Sequence, residues 1–115
     1  MTLTTEDAGD VPEVTSADID NVLSSDAFGA FAILAASETD FIQAGNDWLP
    51  SPACEQFMQQ SGSDPWVLEY RESASDRQFR AADWVSLDQA IRAFHSYLAG
   101  THEWRTDFEW NEIDL

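Results

Sequence analysis

The sequence predicts an α+β domain, an antiparallel sheet of about five strands with one helix in the C-terminal half packed on a face and a short helix near the N-terminus. Three observations predict it. "PWVLEYRE" sets Trp66, Leu68 and Tyr70 on one side of an extended chain and Val67, Glu69 and Arg71 on the other, and "RQFRAADWV" pairs back on it after the turn-like "SASD". "SLDQAIRAFHSYLAG" carries a capping box at Ser86 and Gln89, an apolar stripe at Leu87, Ala90, Ile91, Phe94 and Leu98, and Gly100 where the helix should stop. "HEWRTDFEW" alternates His102, Trp104, Thr106, Phe108 and Trp110 with Glu103, Arg105, Asp107 and Glu109, which reads as a closing strand over about residues 104 to 113.

The remaining elements follow in chain order. Residues 1 to 14 are acidic, rich in Thr and Asp and interrupted by Gly9 and Pro12, so ordering them loses backbone entropy for little apolar burial; they are read as a flexible tail, with the domain over 15 to 115. "TSADIDNVLSS" offers Thr15 or Ser16 as an N-cap and sets Ile19, Val22 and Leu23 at helical spacing. "AFGAFAILAAS" is apolar on both parities, which fits a strand covered on both faces, although a buried helix has the same pattern. "FIQAGND" is the return strand of a hairpin, ending at a Gly-Asn-Asp turn. From Trp48 to Gly62 two readings stay open, a short helix begun at Ser51 and Pro52 or a strand through "FMQQ".

A length of 115 residues suits one modest core. The net charge of −17 comes from 22 acids, 13 Asp and nine Glu, against five bases, all arginine. That balance disfavours nucleic acid and anionic membranes as partners and favours a basic protein surface. A solvated, salt-adapted surface and a nucleic-acid mimic explain the same acidity, the mimic requiring carboxylates at phosphate-like spacing. Apolar content of 43% argues for folding. The first residues lack the basic start and apolar run of a secretory signal, and no stretch is long enough to span a bilayer, so a cytoplasmic location is expected.

Chemistry-bearing motifs are scarce. Cys54 is the one cysteine, with no clustered base to depress its pKa, and is read as a structural thiol. His95 and His102 do not have the HExxH spacing that sets two imidazoles on one metal, and His95 falls on the polar side of its helix, read as solvated. No Gly-rich phosphate loop, P-loop or GxSxG is present. Neither metal nor cofactor is expected, and an enzyme or small-ligand domain is the minority reading. The terminal aromatics Trp104, Phe108 and Trp110 are expected to pack under the capped helix, with one or two of these tryptophans at the sheet rim as a partner hot spot ringed by Glu103, Asp107 and Glu109.

The order of hairpin, hairpin, capped helix and closing Trp-bearing strand resembles small acidic immunity proteins of bacterial polymorphic toxin systems, on "FIQAGND", "WVLEYRE" and especially "SLDQAIRAFHSYLAGTHEWRTDFEW". The likeness is greatest to the mostly-β family paired with deaminase toxins, in which a strand pair precedes a helix ending in "YL-x-G" and then a Trp, and it covers roughly residues 28 to 112. The resemblance implies a protein-binding inhibitor that occludes a basic, nucleic-acid-acting toxin without catalysis. Alternation assigns its patch to Asp107, Glu109 and Glu112 on the last strand, Glu69 and Arg71 on the second hairpin, and an exposed tryptophan, Trp48 or Trp66. The rivals are a secretion or effector chaperone, which should dimerise, and a salt-adapted domain without a partner.

Overall fold

The computed structural model describes residues 1–24, 28–74 and 77–113. Among them are seven strands and four helices: β1 (Thr2–Thr5), β2 (Gly9–Val11), α1 (Ser16–Leu23), β3 (Phe31–Ala35), β4 (Phe41–Asn46), α2 (Pro52–Ser61), β5 (Trp66–Glu72), β6 (Arg77–Ala81), α3 (Leu87–Ala99), α4 (Glu103–Thr106) and β7 (Trp110–Ile113). The strands form one sheet in the order β2-β1-β3-β4-β5-β6-β7, every pair antiparallel. The α+β class and the antiparallel sheet agree with the sequence; seven strands replace about five, and four helices replace two.

The two additional strands lie in residues 1–14, read from composition as a tail. Leu3 is fully buried and stands opposite both Val11 and Leu34, so a single leucine locks this hairpin onto β3. The lock is reinforced from the far side. Gly29 has φ +99°, and a Cβ there would lie 2.5 Å from Glu6 Cβ. Glu6 Oε1 accepts a hydrogen bond from Ala30 N at 3.2 Å, and Asp7 N donates to the Phe28 carbonyl at 3.1 Å. The glycine therefore supplies both the backbone conformation and the space for the hairpin.

Helix α1 is N-capped by Thr15 in a capping box with Asp18, and it buries Ile19 and Leu23. Helix α3 starts and stops where its residues predict, with Ser86 and Gln89 forming the box and Gly100 left-handed at φ +76°. Ala90, Ala93 and Phe94 on α3 join the core with Ile42 and Leu68, the helix lying over β4 and β5. Helix α2 settles the open segment in favour of a helix, with Ser51 as N-cap, Pro52 at its first turn and left-handed Gly62 at its end. It is held beyond the ends of β4 and β5, where Asp47 N donates to the Pro65 carbonyl and Phe57 meets Trp84 edge to face. Of the expected turn at 73–76, residues 75 and 76 lie outside the described residues.

The closing strand is shorter than its alternation predicts. After Gly100, Thr101 N bonds back to the Ser96 carbonyl and Trp104 N donates to Ser96 Oγ, which folds Glu103–Thr106 into a helical turn and leaves only Trp110–Ile113 as strand. Trp104 and Phe108 are also four apart, a helical spacing that the alternation masks. Of these aromatics Trp104 is buried against Tyr97 of α3, as expected, while Phe108 and Trp110 are partly buried against the core. Tyr70 is the hub, 4.8 Å from Trp104, 4.7 Å from Trp110 and 5.0 Å from Phe79 between ring centroids. Arg105 lies over Tyr70 and Trp104 and pairs with Glu72.

Gly29→Ala should destabilise the fold by about 2 kcal/mol, because a side chain is forced into a left-handed backbone and against Glu6. A urea unfolding series measures it; an unchanged midpoint would mean that the hairpin does not dock as described.

Candidate functional site

The helices that contact strands lie on one face of the sheet, and the strand pairings identify the residues on the other. Thr4, Ile33, Gln43, Glu69, Arg80 and Asn111 form one row across it, and Phe31, Gly45 and Val67 form the next. The sequence predicts that the 31–35 strand is covered on both faces. Only Ala32 and Leu34 are covered; Phe31 is 36% exposed, and Ile33 and Ala35 are half-buried. Among the described residues no further element lies over that parity, so an apolar strip remains on an open face.

A polar ladder runs beside the strip. Glu69 is buried to 8% exposure, and its Oε1 accepts from Gln43 Nε2 at 2.8 Å and Gln78 Nε2 at 3.4 Å, while Arg80 Nε donates to Oε2 at 2.9 Å. This carboxylate is satisfied by three donors from the two flanking strands, β4 and β6. Next to it is a hollow of about 470 Å³, with Phe31, Ile33 and Val67 as walls and Gly45 in its lining. Gly45 was expected in a turn after the strand; it sits inside β4, paired with Phe31 on one side and Val67 on the other. Asp47 stands at the rim, one oxygen accepting from Trp84 Nε1 at 2.8 Å.

The residues nominated from alternation do not assemble into one patch. Glu69 and Arg71 share the open face, Glu69 in the ladder and Arg71 opposite Phe41. Trp48 is 45% exposed just after β4, with Leu49 beside it at 65%. Trp66 is a correction: it is 5% exposed and stacks on Phe28 at 5.2 Å, because its parity on β5 faces the helices. Asp107 and Glu109 are also corrected. They precede the last strand, Asp107 capping α4 and the Glu109 carbonyl accepting from Ala82 N. Glu112 is on β7, where it pairs with Arg77 at 3.6 Å on the helix-bearing side of the register. Phe31, Ile33, Gly45 and Val67 were missed as site residues; the apolar outer parity of "FAILA" was their one signal.

His95 is a further correction. Its Nδ1 is 3.0 Å from Ser16 Oγ and its Nε2 2.7 Å from Asp20 Oδ1, so while still partly exposed it also clasps α1 to α3. These are the residue types of a hydrolase triad, yet none of the four principal hollows is lined by any of the three. Cys54 is buried, its thiol 3.8 Å from the Asp47 carbonyl. Among the described residues no group of three or more His, Cys, Asp or Glu side chains is placed to hold a metal ion, and no helix is long and apolar enough to cross a membrane.

Among the described residues Arg77 pairs with Glu112, Arg80 with Glu69 and Arg105 with Glu72, and with five bases against 22 acids the exterior field is acidic. At the far end of the sheet Asp40 ties two turns together. Its carboxyl is held below the ordinary aspartate range, first by the Ser73 backbone N–H and then by the hydroxyls of Ser73, Ser37 and Thr39. Burial, with Asp40 nearby, raises the Tyr97 hydroxyl above its usual range. The chain matches no protein-family model, no curated protein and no solved structure.

Because the Asp40 pKa is lower folded than unfolded, its stabilisation is fully present above the unfolded value and is lost as pH falls through the folded one. The stability difference between the native chain and Asp40→Asn should therefore be flat above about pH 5 and shrink below about pH 4, read by chemical unfolding at each pH. A difference independent of pH would remove the carboxylate from that role.

Proposed function

We propose that this chain is a protein-binding inhibitor of the immunity type, which neutralises a basic, nucleic-acid-acting toxin by covering its surface with the open face of the sheet. The observation that carries the reading is the uncovered apolar parity of β3, with Phe31 exposed beside a hollow, on a molecule of net charge −17. Docking surfaces combine a desolvated apolar centre with a polar rim. Here Phe31, Ile33 and Val67 are the centre, Gln43 and Arg80 belong to the ladder, and Asp47 is at the edge. The acidic field steers a cationic partner inward and speeds encounter. Inhibition of this kind needs occlusion alone. The resemblance to immunity proteins supplies the class of partner, and the face supplies the place of contact.

The test begins with capture from lysate of the host cell at low and moderate salt and proceeds with the retained basic protein in purified form. Phe31→Glu should weaken that complex by roughly tenfold or more, with the unfolding midpoint of the free chain nearly unchanged. Arg92→Glu, on exposed α3 at the opposite side, makes the chain more acidic still and should leave the dissociation rate as it was. Equal binding by the native chain and Phe31→Glu would move the contact off the open face.

A further inference from the structure

The geometry points to the hollow over Gly45 as the seat of one aromatic side chain, presented by a basic protein surface whose cations meet Asp47 at the rim. This rests on the protein-binding reading above and adds the anchor and its receptor.

The argument starts from a glycine without an internal reason. Gly45 lies in the middle of the sheet, its φ is not left-handed, and a Cβ built on it meets nothing within 4 Å. Glycine inside a strand weakens it and leaves nothing to pack, and it is found where a ligand or another chain approaches closely. The contrast with Gly29, whose Cβ would strike Glu6, shows what an internal reason looks like. Here the missing side chain lowers the floor between Phe31 and Val67 and opens a space of about 470 Å³, enough for a ring. Such a ring would lie against the exposed Phe31 and two aliphatic walls, the type of pocket that aromatic hot-spot residues fill.

Charge selects the rest of the occupant. The Arg80 guanidinium at the side of the hollow pairs through Nε with Glu69, so its positive charge is balanced there and the net charge at the rim comes from Asp47. Asp47 is exposed and uses one carboxylate oxygen for Trp84, and the other accepts no hydrogen bond among the described residues. A second copy of this chain would bring another 17 negative charges and is disfavoured.

Gly45→Val fills the hollow and, as a β-branched residue in an extended position, should hold or raise the unfolding midpoint. The probes are the peptides Ac-Arg-Gly-Trp-Gly-Arg-NH2, its Trp→Gly form and its form with both Arg replaced by Glu, titrated at low salt into the isotopically labelled chain and followed by amide chemical shifts. The first should shift amides of β3, β4 and β5 around Phe31, Gly45 and Val67. The other two should give at most a fraction of that response, and Gly45→Val should reduce it by roughly tenfold. Gly45→Ala, which adds one methyl group, provides the same comparison if the valine lowers the midpoint. Undiminished shifts in the glycine variants, shifts centred elsewhere or no shifts at all overturn the inference. With a captured partner, normal binding by Gly45→Val and loss by Phe31→Glu overturns the anchor and spares the docking face; normal binding by both removes the face as well.

Discussion

Coverage of the sheet is the constraint on which the structure depends. Seven antiparallel strands need apolar burial on at least one face, and the one long amphipathic helix, α3, lies across β4 and β5 on that side. Helix α1 flanks it through the His95 clasp, and α4 closes the far edge by setting its Trp104 against Tyr70. Helix α2, the remaining ten residues of regular helix, is fixed beyond the strand ends by Asp47 and Trp84. Nothing among the described elements is left for the second face. Its apolar residues are therefore a consequence of how the helices are distributed, and they are what a partner can use.

Charge and packing divide the molecule further. Arg77, Arg80 and Arg105 sit around β5, β6 and α4, each beside a carboxylate, and Arg105 adds cation–π contacts of 5.4 and 5.1 Å with Tyr70 and Trp104. Edge-to-face contacts around Tyr70 contribute on the order of 1 kcal/mol each beyond the area they bury, enough to hold a short last strand in place. The outer edge is treated differently. Strand β2 is three residues long, carries Asp10 and runs into Pro12, features that discourage pairing with another sheet.

Much of this was legible. The capped helix at 86–100 showed itself through the agreement of cap, stripe and stop signal, and the 66–72 strand through its aromatics. The N-terminal hairpin was hidden because each strand buries little beyond one apolar side chain, Leu3 or Val11, and an average over acidic residues conceals a leucine that the tertiary structure buries completely. The end of the chain was misread because Trp104 and Phe108 satisfy two periods at once, and the hydroxyl of Ser96 decides between them by capturing Trp104 N. The candidate patch was misassigned for a related reason. Alternation shows that two sides differ but not which side the helices cover, so Trp66 was offered to solvent and Phe31 to the core.

The ladder on the open face bears on what docking there would require. Covering an isolated carboxylate with a partner costs desolvation that its new contacts seldom return in full. Glu69 is already withdrawn from water, with Gln43, Gln78 and Arg80 occupying both its oxygens before any partner arrives. Most of that penalty is therefore incurred on folding, where the sheet holds the three donors at fixed separation, and a protein laid over the ladder meets groups whose geometry is set. The Nε bond to Glu69 ties the exposed Arg80 side chain at the wall of the hollow. A polar ladder whose carboxylate is buried thus borders the place where a docking chain can seat its apolar anchor, on the Gly45 side, and leaves the exposed acids at the margin to determine how fast it arrives.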